Sequence, residues 1–134
     1  MELAQAIKEV SAKFKYRKDQ NFLIDSWSVM QESNGVYYGD CDDYMLTVFW
    51  YLSDKKLSTF LWNLFVTHEY GVVWCRTGFG ELHFAGKYKG LMFDNWTKIA
   101  LPEDQFFIAT KHEKLMQMPM LFCVLQVIKG YFKR

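Results

Sequence analysis

A thiol, an imidazole and a carboxylate occur in an order that permits nucleophilic catalysis: Cys41, His83 and Asp94. The thiolate is the reactive form of cysteine, and an unperturbed thiol with a pKa of about 8.5 is mostly protonated at neutral pH. A helix N-terminus and a neighbouring imidazolium both lower that value. Cys41 follows Gly39-Asp40, which reads as a helix start. Asp42 and Asp43 then fall in the first turn, where negative charge is favoured. The imidazole must come from elsewhere in the chain. His83 lies near the start of one expected strand and Asp94 near the end of the next, across a turn at Tyr88-Lys89-Gly90. The midpoint between them falls inside that turn, so the two are expected as near cross-strand neighbours, the carboxylate holding the imidazole in one tautomer. Singly, each residue has an ordinary structural explanation: an inert cysteine, a satisfied strand histidine, a turn aspartate. Their order along helix, strand and strand is what sets them apart. His68 is a rival base, but it precedes Gly71 in an expected loop. Cys75 and Cys123 fall in apolar strings and read as buried thiols. His112 lies in the charged run Lys111–Lys114 and reads as exposed.

The elements that would position these residues are legible in the hydrophobic pattern. Leu3, Ile7, Val10 and Phe14 form one helical stripe. A short helix is expected over Phe22–Gln31, ended by the turn signal Ser33-Asn34-Gly35. The cysteine helix should run from Cys41 to about Leu52, with Ser53-Asp54 capping a further helix to about Phe65. After Gly71 the texture changes. Val72–Arg76, Leu82–Tyr88 and Leu91–Asn95 are aromatic and β-branched, and Gly78, Gly80 and Gly90 punctuate them. They read as antiparallel strands. Pro102 opens another connection, Phe106–Ala109 reads as one more strand, and Pro119–Phe132 fits a buried strand or a helix. Helices first and then an antiparallel sheet make an α+β domain spanning residues 1–134.

Composition narrows the function classes. Apolar residues make up 51% and charged residues 23%, the balance of a globular domain and not of a disordered chain or coiled coil. The net charge of +1 gives no electrostatic footprint for nucleic acid. The local clusters Lys13, Lys15, Arg17, Lys18 and Lys129, Lys133, Arg134 read as solvated surface. Three widely spaced cysteines without a CxxC argue against a disulfide framework or a zinc site. The longest nearly apolar run, Pro119–Ile128, is too short to span a bilayer. MELAQAIKEV carries no basic segment followed by an apolar core, so no secretory signal is expected, and reduced cysteines suit a cytoplasmic protein.

Tyr38-Gly39-Asp40-Cys41-Asp42-Asp43-Tyr44 resembles the G-D-C-[DE]-D-Y signature of the bacterial transglutaminase-like cysteine proteinases. Leu82-His83-Phe84 and Leu91-Met92-Phe93-Asp94-Asn95 resemble that family's histidine strand and its L-D-N strand. Trp27 matches an upstream tryptophan, and Pro102 a later proline. The resemblance runs from about Trp27 to Phe107. It implies the transglutaminase-core, papain-like fold and peptide-bond hydrolysis on a protein or peptide substrate through a Cys-His-Asp triad. Cys41 would be the nucleophile, His83 the general base and acid, and Asp94 the orienting carboxylate. The backbone N–H of Cys41 and a second donor, Trp27 or Gln31, would meet the oxyanion. No cofactor is required, although Asp40 and Asp42 fill positions that bind calcium in some members, where they otherwise only cap the helix. Two alternatives stay open: a non-catalytic protein-interaction module on the same fold, or a transglutaminase or deamidase acting on glutamine side chains.

Overall fold

A computed structural model describes residues 1–16, 29–30 and 32–117. The expected helix over 22–31, the segment 119–132, Trp27, Gln31 and Cys123 lie outside the described residues, wholly or in the greater part. The chain is mixed α+β. Helix α1 (Leu3–Lys13) leads into β1 (Phe14–Tyr16). Strands β2 (Glu32–Ser33) and β3 (Val36–Gly39) follow, then α2 (Cys41–Leu52) and α3 (Leu57–Phe65). The second half comprises β4 (Gly71–Arg76), β5 (Leu82–Tyr88), β6 (Leu91–Phe93), β7 (Leu101–Pro102), α4 (Glu103–Thr110) and β8 (Glu113–Gln117). A small sheet has the order β1-β3-β2, and a five-stranded antiparallel sheet has the order β7-β6-β5-β4-β8.

The first helix buries Leu3, Ala6, Ile7 and Val10, the stripe its spacing dictates. Phe14 continues that stripe in burial, but the helix has already ended and Phe14 opens β1. Helix α2 runs through the centre of the larger core, where Tyr44, Val48, Phe49 and Tyr51 are buried. Its far end corrects the capping expectation. Ser53 Oγ donates back to the Phe49 carbonyl at 2.9 Å and bonds the Tyr70 hydroxyl at 2.6 Å. Ser53 thus closes α2 instead of opening α3, which starts at Leu57 without a side-chain cap. Phe106–Ala109 belongs to α4 and not to a strand: Pro102 precedes a first turn holding Glu103 and Asp104, a favourable helix start that outweighs a short aromatic run.

The large sheet carries different cores on its two faces. Val72, Phe84 and Phe93 face the helices α1–α3, whereas Val73, Cys75, Ala85 and Met92 pack with Phe106 of α4. This follows from the two-residue periodicity of strand side chains. The β5–β6 hairpin turns on Lys89 and Gly90, both at positive φ (50° and 80°), the backbone a tight two-residue hairpin requires. Gly86 lies directly opposite Phe93, whose ring covers the place a Cβ would occupy.

Candidate functional site

Residues Tyr88 and Leu91 flank the hairpin turn, and Gly86 pairs with Phe93. Continued by one step, that register sets Asp94 opposite Ala85. His83 is therefore a diagonal neighbour of Asp94 on the same face, offset by two residues from the expected pairing. The side chains close the gap: His83 Nε2 lies 2.8 Å from Asp94 Oδ2, both residues buried. Asp94 follows directly on β6, and its other oxygen, Oδ1, accepts from the backbone N–H groups of Trp96 (3.1 Å) and Thr97 (2.7 Å). This is the local turn that aspartate favours, and it holds the carboxylate independently of the imidazoles.

A second imidazole completes the cluster. His112 Nε2 lies 3.1 Å from the same Asp94 Oδ2, and His112 is buried, not exposed. The charged run misleads because its members diverge. Lys111 ends α4 in the left-handed conformation (φ 59°), which turns the chain so that His112 enters the core. Lys114 turns outward to Glu103 at 2.6 Å, where Lys87 also pairs at 2.9 Å. Only the abrupt stop of α4 hints at this placement. Trp96 lies against both rings, tilted to His83 (centroids 5.7 Å apart) and edge-on to His112 (4.9 Å). Burial alone would raise the Asp94 pKa, but the hydrogen bonds from His112 and His83 outweigh it and hold the carboxyl well below the usual carboxylate range. With Asp94 ionised, both imidazoles face it through Nε2–H, which leaves Nδ1 of His83 as the basic nitrogen.

Cys41 begins α2 as expected, with Asp40 as N-cap: its Oδ1 accepts the Asp43 N–H at 3.4 Å. The sulfur approaches β5 at the backbone N–H of Phe84, one residue beyond His83 and past the last β5–β6 pair. Its hydrogen bonds run to Phe84 and to Asp42 Oδ1 at 4.0 Å, and none joins it to His83. The expected lowering of the thiol pKa does not occur. Burial first, then the charges of Asp42 and Asp40, push it well above its ordinary value, against the smaller pull of the Phe84 and Asp42 N–H groups. Burial and two acidic neighbours together thus outweigh the backbone N–H groups that face the sulfur. The fold brings the sulfur to the histidine strand as a neutral thiol.

The remaining candidates separate from this cluster. His68 is exposed at positive φ (58°) and lines a groove with Gly71 and Lys87, at the opposite end of the β4–β5 ladder from the Cys75–His83 pair. Cys75 is buried, and burial pushes its thiol up to about 12. Oxygens of Asp40, Asp42 and Asp43 lie within 4.8 Å of one another, a donor set suited to a hard cation such as calcium. Among the described residues no helix is long and apolar enough to cross a membrane. Compared with known proteins, the chain matches no family model and no curated protein.

Proposed function

We propose that the chain is a thiol acyl-transfer hydrolase, a cysteine peptidase of the transglutaminase-like type, on a transglutaminase-core arrangement. The observation that carries this reading is the buried 2.8 Å contact of His83 with Asp94, on a strand whose next N–H meets the Cys41 sulfur. The resting site holds a neutral thiol, so His83 acts as a general base and not as the partner of a preformed ion pair. As sulfur attacks the substrate carbonyl, its proton passes to His83 Nδ1, and Asp94 stabilises the imidazolium through Nε2–H. The carbonyl π pair moves to oxygen, where the Cys41 backbone N–H and a second donor, Trp27 or Gln31, receive it. Collapse of the adduct breaks the C–N bond, and the amine leaves with the Nδ1 proton. Water, deprotonated by the same nitrogen, then cleaves the thioester and frees the thiol.

Exposed apolar surface beside His83 supports a peptide substrate with a bulky side chain. Phe79 is 85% exposed and Trp96 46% exposed, with ring centroids 6.2 Å apart. Calcium at Asp40, Asp42 and Asp43 would place positive charge beside the thiol and offset the carboxylate field. A free thiol nucleophile is kept reduced in a reducing compartment, and the cytoplasm is our proposal.

The test is hydrolysis of an internally quenched peptide library by the full chain, with a fluorescent primary amine in parallel. Cleavage that is lost in Cys41→Ala and in His83→Ala supports the peptidase. Incorporation of the amine without cleavage assigns the transferase alternative. A non-catalytic interaction module is favoured by the raised thiol pKa and the missing thiol–imidazole bond, and absence of both activities would overturn the enzyme reading in its favour.

A further inference from the structure

Three ligand-type side chains converge from separate parts of the fold: His83 from β5, Asp94 from the end of β6, and His112 from the turn into β8. Their ligand atoms all lie within 4.8 Å of one another, and all three residues are buried. We propose that His83 Nε2, His112 Nε2 and Asp94 Oδ2 form a binding site for a divalent transition-metal ion of the zinc class. Two imidazoles and one carboxylate match the ligand chemistry of such an ion, and three protein ligands leave a fourth position for an exchangeable group.

The distances are close to what coordination requires. Tetrahedral bonds of the usual zinc length place neighbouring ligand atoms about 3.3 Å apart. The two imidazole nitrogens lie 2.8 and 3.1 Å from the shared oxygen, so each of these two separations opens by only a few tenths of an ångström to take an ion. The support that orients a ligating carboxylate is already built, because Asp94 Oδ1 is held by the Trp96 and Thr97 N–H groups. Coordination moves the ring proton of each neutral histidine from Nε2 to Nδ1, and a charged ring releases one proton to solvent. For His112 the exchange breaks no bond at Nδ1, which is buried and has no partner among the described residues, and the new Nδ1–H needs an acceptor such as a water molecule. Trp96 and Phe106 wall the rings of the cluster with aromatic surface.

The site does not depend on thiol chemistry, and Cys41→Ser should bind the ion equally well. Where the thiol reading holds, the ion inhibits it, because Nδ1 of a ligating His83 carries the proton and is no longer a base.

The test uses the full chain with zinc and with cobalt. One equivalent of cobalt should give the visible absorption of a low-coordinate site. Zinc should shift the ring nitrogens of two of the chain's three histidines, sparing His68, which a His68→Ala sample assigns. His112→Gln and Asp94→Asn should each weaken the ion by at least about tenfold, since loss of an outer-shell partner alone costs 10–100-fold. The nitrogen shifts are read on the unmodified chain and hold even if a variant fails to fold. Failure to bind equimolar ion, a shift of His68, or loss of binding in Cys41→Ser or Asp42→Ala would overturn the assignment.

Discussion

Replacing Asp94 by alanine should be the most damaging single change in the described domain. The carboxylate accepts four hydrogen bonds: from His83 at 2.8 Å, His112 at 3.1 Å, Trp96 N at 3.1 Å and Thr97 N at 2.7 Å. Truncation leaves two buried imidazoles facing each other without the anion that separates them. Leaving a buried donor without its acceptor costs about 1–3 kcal/mol, so the two stranded imidazole N–H groups together cost about 2–6 kcal/mol. Folded domains are stable by only about 5–15 kcal/mol, so this is a large share. For a chain of this size the loss corresponds to a fall in Tm of roughly 6–24 °C. Asp94→Asn keeps an acceptor for the two backbone N–H groups but sets an amide N–H2 against Nε2–H of both rings. His83 and His112 must change tautomer to accommodate it, and the cost falls to about 1.5–3 kcal/mol. Thermal and urea unfolding followed by far-UV circular dichroism measure both variants. A fall in Tm below about 3 °C for Asp94→Ala would mean that the cluster is not closed around this carboxylate.

Other consequences are accessible to simple measurements. Gly86→Ala should cost about 1–3 kcal/mol, because the added methyl meets the Phe93 ring, and urea unfolding reads it directly. Burial raises both the Cys75 thiol and the Tyr44 phenol to about 12. The unfolded chain therefore loses these protons first, so stability is full below about pH 8.5 and declines as pH rises toward 12, by at most about 1.4 kcal/mol per unit for each group. Cys75→Ala should flatten the first part of that decline. Millimolar calcium should raise Tm, and Asp42→Ala should remove the increase; an unchanged Tm dismisses calcium at Asp40, Asp42 and Asp43.

Local features of the fold were legible in the sequence, and features set by distant contacts were not. The stripe from Leu3 to Val10, the helix start at Asp40-Cys41 and the Lys89-Gly90 turn are written in neighbouring residues, and each lies where it was expected. The proximity of His83 and Asp94 followed from hairpin counting, although the turn shifts the register by two residues and leaves the side chains to complete the contact. His112 could not be found this way. Its burial depends on the left-handed Lys111 and on the return of β8 to β4, both consequences of long-range packing. The protonation state of Cys41 is illegible in the sequence for a related reason. The helix N-terminus is a local signal, whereas the opposing effect comes from burial against β5 and from where the Asp40 and Asp42 charges finally lie. Ser53 shows the same limit in miniature: a capping residue between two helices belongs to whichever one the Tyr70 hydroxyl anchors.

Cys41 is proposed to react only with the help of the His83 base, and single-turnover acylation by an activated ester, followed by mass spectrometry of the Cys41 peptide, tests this most directly. The account predicts a thioester on Cys41 in the unmodified protein, slowed by about 10²–10⁴-fold in His83→Ala and unaffected in His68→Ala. Equal acylation rates in the unmodified protein and His83→Ala, or acyl groups found only on Cys75 and Cys123, would contradict it.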